Sequence, residues 1–123
     1  MSNLYAEDIL YWAKDQRFRG TLENPSITAH RENPSCGDSL TCTARVTDGK
    51  LEQVRFDGTG CVICLASATV LAEHAEGQTV ETALAFEKQN MVEWLACDVG
   101  PMRANCMLLA LLTLRDALCK YST

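Results

Sequence analysis

Positive charge is in short supply in this chain: 11 Lys and Arg face 16 Asp and Glu, a net charge of −5. Gripping nucleic acid takes clustered basic side chains that neutralise phosphates. No basic stripe occurs, so nucleic-acid binding is excluded as a function class. Long apolar runs are lacking too. The greasiest window, residues 107–114, stops at Arg115 and Asp116, far short of the ~20 residues of a membrane helix, so no membrane partner is expected. The first eight residues show no basic start leading into an apolar stretch, the mark of a secretory signal. Repeats, low-complexity tracts and linker-like stretches are also missing. Residues 1–123 are expected to form a single domain.

What the chain has in plenty is cysteine. Seven is many for 123 residues, and the number is odd. With no secretory signal the expected location is cytoplasmic, a reducing compartment where thiols serve metal, sulfur or redox chemistry more often than structural disulfides. A hydrophobic content of 47% and a charged content of 22% are those of an ordinary soluble globular protein.

Patterning along the chain points to an α+β fold, a small antiparallel sheet of about three strands packed against several helices. Residues 4–15 read as a helix with Leu4, Ile9, Trp12 and Ala13 roughly on one face. Asn24-Pro25-Ser26 marks a turn, and residues 27–32 read as a short strand. From Asp38 the period becomes two, placing Leu40, Cys42, Ala44 and Val46 on one side. Asp48-Gly49 supplies a hairpin turn, and the return strand carries Leu51, Val54 and Phe56. The remainder is helical: residues 66–76 stopping at Gly77, residues 80–86 capped by Thr79, and residues 91–96 started by Asn90. Pro101 suits the first position of a long apolar C-terminal helix, residues 102–120, which is expected to be central to the core.

Three cysteines occupy comparable places. Cys36 lies in the loop Asn33-Pro34-Ser35-Cys36-Gly37-Asp38, Cys61 lies between Gly60 and a helix, and Cys106 falls in the first turns of the last helix. Pro34 and Gly37 constrain that loop so that it can aim a thiol and a carboxylate at one point. It can equally be an ordinary turn between strands. Helix N-termini favour thiolates, and a soft metal takes thiolates with room for a harder fourth partner. Cys36, Asp38, Cys61 and Cys106 would make a three-sulfur, one-oxygen site, although no two of these cysteines form a local pair.

Residues 33–38 match the N-P-x-C-G-D signature of the U-type iron–sulfur cluster assembly scaffolds, the IscU and NifU N-terminal family. Gly60-Cys61-Val62-Ile63 followed by Ala66-Ser67-Ala68-Thr69 resembles that family's second motif, and residues 101–106 resemble the region of its third cysteine. Residues 9–22, with Arg19-Gly20, resemble its opening helix and loop, so the resemblance runs through nearly the whole chain. It implies a platform rather than a turnover enzyme. A cysteine desulfurase delivers persulfide sulfur, usually to the third cysteine, here Cys106. Ferrous iron joins, an electron donor such as a ferredoxin reduces the sulfur, and a 2Fe–2S cluster forms transiently before passing to acceptor apo-proteins. Cys36, Asp38, Cys61 and Cys106 are the implied ligands of the cluster, with Asp38 its weak point, and of zinc in the cluster-free form. A homodimer around a shared cluster is a further expectation.

The chain departs from the family pattern at several positions. Asn105 stands where the family often has a histidine, Arg103 stands for a common lysine, and His30 and His74 match no family ligand position. Residues 98–103 largely lose the stretch read by a dedicated chaperone. The zinc-bound branch, a sulfurtransferase, carries an insertion between the second and third cysteines. None is visible among the 44 residues between Cys61 and Cys106, which favours the cluster-building branch. Cys42 is expected to be a buried small hydrophobe and Cys119 to be incidental. Cys97 could approach the site. Cys61 and Cys64 form a CxxC, so Cys64 is either packing, an extra ligand or a sulfur relay. A thiol–disulfide protein built on that pair is a third reading, in which Cys36 would be dispensable.

Overall fold

The structure, a computed structural model, describes residues 9–34, 37–96 and 104–122. Strands β1 (Ile27–Asn33), β2 (Asp38–Thr47) and β3 (Lys50–Thr59) form an antiparallel sheet in the order β1-β2-β3. Residues 9–14 are helical (α1), and α2 (Val62–Ala75), α3 (Val80–Leu84), α4 (Lys88–Leu95) and α5 (Ala104–Ser122) follow the sheet. This is the α+β architecture that the patterning implied.

On β2, Leu40, Cys42 and Ala44 are buried as the period of two predicts. Thr43 on the other face is buried as well, and Val46, beside the register shift, is only partly buried. The β2–β3 turn places Asp48 at φ 54° and Gly49 at φ 77°, the twist that suits a two-residue hairpin. On β3, Leu51 and Val54 are both buried although three positions apart, which a regular strand forbids. The register shifts between Arg45 and Val46, so that Gln53 faces Arg45 and Leu51 faces Val46. Such a bulge adds one residue and turns the next side chain back to the core. Glu76, just past α2, braces the irregularity: its carboxylate accepts from the Val54 N–H at 2.8 Å and pairs with Arg55 at 2.7 Å.

Helix α5 is the hub. It packs against β1, β2, α2, α3 and α4, burying Met107, Leu109, Ala110, Leu111, Leu114, Ala117 and Leu118. Its outer edge is tied to β1 by Arg31–Asp116 at 2.7 Å and by Lys120 donating to the Thr28 carbonyl at 2.8 Å. Helix α2 is buried nearly all round, with small residues Cys64, Ala66, Ser67, Ala68 and Ala72 allowing close approach. It runs from Val62, four residues earlier than the alanine-rich stretch suggests, because Gly60 and Cys61 carry no signal stronger than the helix they open. Helix α4 likewise starts before Asn90. Glu87 is its N-cap, and Asn90 is the third helical residue, whose side chain accepts from the Glu87 N–H at 2.8 Å, a capping box. Ile9 is buried and Trp12 and Ala13 pack on the core, as the helical face predicted. Leu4, Pro101 and the start of the last helix lie outside the described residues. Among the described residues no helix is long and apolar enough to cross a membrane.

Cys42 faces the core with no exposed surface, and burial pushes its thiol up to about 12. Folding therefore holds this thiol neutral. Its contribution is complete below the ordinary thiol value near 9.0 and is lost as pH rises toward about 12. Across that window the group costs about 1.4 kcal/mol of stability per pH unit. Thermal unfolding of wild type at pH 8.5, 9.5 and 10.5 is expected to fall more steeply than that of Cys42→Ala. Parallel slopes would show that Cys42 carries none of the alkaline sensitivity.

Candidate metal centre

The site grows out of the end of the sheet. Asp38 opens β2 and pairs with Asn33 at the end of β1, and the Gly37 N–H donates to the Asn33 carbonyl at 2.9 Å. Gly37 takes φ 76°, a left-handed conformation that glycine adopts at little cost. On the neighbouring strand, Gly58 faces Leu40 with φ 142°. A methyl group there would sit 2.1 Å from the Ser39 carbonyl oxygen. That absence of a side chain lets β3 lie against the start of β2 and run on to Cys61.

Cys61 is the N-cap of α2, yet its sulfur caps nothing. The Asp38 carboxylate anchors this helix start instead: its Oδ1 accepts from the Cys61 N–H at 3.1 Å, a placement favoured by the positive end of the helix dipole. Asp38 Oδ2 is buried and has no hydrogen-bond partner; among the described residues only Ser67 Oγ shares that state. Leaving a buried carboxylate oxygen bare costs about 1–3 kcal/mol, so the pocket suits a cation. Cys106, in the first turn of α5, is 5% exposed. One ligand atom each from Asp38, Cys61 and Cys106 lie within 4.8 Å of one another. Two sulfurs and one carboxylate oxygen at that separation are the donor set of a thiophilic metal with one harder partner.

The structure thus brings together Asp38, Cys61 and Cys106, which stand 23 and 45 positions apart in the sequence. Cys36, Cys97 and Arg103 lie outside the described residues. The two histidines are elsewhere. His30 is on the exposed sheet face between Thr41 and Glu32, and His74 stacks on Trp94 with centroids 4.1 Å apart while bonding the Val70 carbonyl. Asn105 is exposed and lines a hollow of about 180 Å³ with Arg31, Glu32 and Asn33. Cys64 is fully buried behind the site. Cys42, Cys61, Cys64, Cys106 and Cys119 are all unbridged. Sequence reasoning missed the anchoring bond from Cys61 to Asp38, for which no local signal exists.

Residues 4–123 match the model of the NifU-like N terminal domain. The chain belongs to that family. Similar to this member is the iron–sulfur cluster assembly scaffold protein IscU of Thermotoga maritima, 35% identical over 97% of this chain and 95% of its own. The zinc-dependent sulfurtransferase SufU of Bacillus subtilis is also 35% identical, over 72% of this chain and 59% of its own. A crystal structure of a candidate iron–sulfur cluster assembly scaffold for the SUF system from Fervidobacterium islandicum superposes with a TM-score of 0.78 at 29% identity, covering 96% of this chain and 99% of that one. The family's fold, which the motifs implied, is therefore the fold observed.

Proposed function

We propose that this family member is a scaffold on which a 2Fe–2S cluster is assembled from ferrous iron and sulfur, then passed to acceptor proteins. The observation that carries the reading is that one ligand atom each from Asp38, Cys61 and Cys106 lie within 4.8 Å of one another, beside a buried Asp38 Oδ2 that has no hydrogen-bond partner. Cys36 completes the proposed ligand set; two residues of chain span at most about 7 Å, so it is tethered to Asp38. Cys106 is the proposed acceptor of persulfide sulfur from a cysteine desulfurase. A ferredoxin-type donor supplies electrons, and a second copy of the chain can share the cluster. The protein itself turns over no small-molecule substrate in this reading.

The sulfurtransferase relative supports a second reading, in which zinc occupies the same donors and the chain only accepts persulfide. Thiolates with one oxygen suit zinc as well as iron, so the ligand set does not choose. The 44 residues separating Cys61 and Cys106, without a visible insertion, favour the scaffold. Anaerobic reconstitution with ferrous iron and inorganic sulfide separates the two. The scaffold is expected to become coloured, with visible absorption of a 2Fe–2S unit and equal iron and sulfide. Colourless protein that retains zinc against iron would sink it.

A further inference from the structure

We propose that Cys61 and Cys64 act as a dithiol that reduces a sulfane sulfur reaching the site and releases it as sulfide. This rests on the sulfur-receiving role proposed for the site and adds a residue and a source of electrons to it. Cys61 is half-buried at the N-cap of α2, and Cys64 lies one turn into the helix with no exposed surface. The turn between them is closed, since the Leu65 N–H donates to the Cys61 carbonyl at 3.0 Å. Residues three apart on a helix have Cβ atoms about 5–6 Å apart, and a disulfide needs about 3.5–4.5 Å. Cys61 has ψ 170°, outside the helical conformation, and is the residue able to move that last ångström.

Gly60 keeps the pair against the site. A methyl group on it would meet the Cys64 sulfur at 2.8 Å, the Cys64 Cβ at 2.9 Å and the Asp38 Cγ at 3.3 Å. The Cys64 sulfur and the Asp38 carboxylate therefore border the same small space. On the other side, the sulfurs of Cys61 and Cys106 lie within 4.8 Å of each other, close enough for direct sulfur exchange. Burial leaves Cys64 inaccessible to large reagents, so its reaction partner is its neighbour.

The chemistry balances. The Cys61 thiolate attacks the outer sulfur of a Cys106 persulfide; that S–S bond breaks, and Cys106 leaves as a thiolate. Cys64, giving up its proton, attacks the inner sulfur of the resulting Cys61 persulfide. The bond to the outer sulfur breaks, and that sulfur departs with the electron pair and the proton as hydrogen sulfide. One sulfane sulfur is reduced by two electrons, and two thiols become one disulfide. An external dithiol restores the pair by thiol–disulfide exchange.

The test uses the whole chain, freed of metal by EDTA and of small thiols by desalting, kept anaerobic and charged with glutathione persulfide. Trypsin cuts after Arg55 and Lys88 and nowhere between, so Cys61 and Cys64 share one peptide that holds no other cysteine. Wild type is expected to release about one sulfide per sulfane sulfur bound without added reductant, while this peptide becomes 2 Da lighter. Cys64→Ala is expected to keep the added 32 Da and to release sulfide at least tenfold more slowly until dithiothreitol is supplied. An unchanged wild-type peptide mass, or sulfide release from Cys64→Ala at the wild-type rate, overturns the proposal. Reconstitution of wild type from iron and inorganic sulfide bypasses this step. A cluster formed there, with no loop disulfide in the persulfide experiment, defeats the dithiol and spares the scaffold; sulfide release without a cluster does the reverse.

Discussion

Gly58→Ala is expected to lower stability by at least about 3 kcal/mol, a drop of roughly 10 °C or more in Tm, and to abolish metal binding with it. The added Cβ would lie 2.1 Å from the Ser39 carbonyl oxygen, 3.0 Å from the Ser39 carbonyl carbon and 3.1 Å from the Leu40 Cα. All three atoms are backbone, so no rotamer change relieves the clash; β2 and β3 must separate where Ser39 pairs with Thr59. That separation moves Asp38 away from the Cys61 N–H it anchors. Gly77 is the matched control. It also has a positive φ, 89°, but a Cβ there meets nothing within 4 Å, so Gly77→Ala should cost only backbone strain of about 1 kcal/mol. Thermal unfolding of both variants, with zinc binding by each, checks the contrast. Equal losses would show that positive φ and not close approach governs Gly58.

Asp38→Cys is expected to lengthen the lifetime of the reconstituted cluster at least tenfold and to slow its transfer to an acceptor in proportion. The carboxylate is a harder donor than a thiolate, and iron–sulfur units hold thiolates more firmly. One Asp38 oxygen is engaged by the Cys61 N–H at 3.1 Å, and Oδ2, which has no hydrogen-bond partner, is the oxygen that iron would take in the proposed scaffold. Under the proposed scaffold reading, a fourth thiolate would replace the weakest attachment and favour retention over release. A tenfold change corresponds to about 1.4 kcal/mol, a modest difference in ligand strength. Asp38→Ala should also alter both lifetime and transfer, since it removes the oxygen ligand and the Cys61 anchor together. Bleaching of the visible absorption, with and without an acceptor, measures both quantities. Transfer from Asp38→Cys as fast as from wild type would remove Asp38 as the point of release.

Much of this was legible from the residues in order. The hairpin followed from alternation in residues 40–46 and from Asp48-Gly49, because those are local facts about backbone twist and side-chain period. The three-residue step from Leu51 to Val54 was visible too, but the bulge that explains it needed Arg45 and Gln53 paired across strands. Helix starts were read late where the capping residue was not a conventional one: Glu87 caps α4, and Cys61 opens α2 with its backbone N–H held by an aspartate 23 positions away.

The amino-acid sequence alone determined the fold class, the family motifs and which residues have the chemistry to hold a soft metal, because period, turn propensity and donor type are properties of neighbouring residues. Only the tertiary structure decided that the thiols of Cys61 and Cys106 and a carboxylate oxygen of Asp38 lie within 4.8 Å of one another, and that His30 and His74 lie elsewhere. Such proximity depends on how closely a strand, a helix start and the hub helix can approach. Here that approach is set by two missing side chains, at Gly58 and Gly60, whose effect is felt on partners distant in sequence.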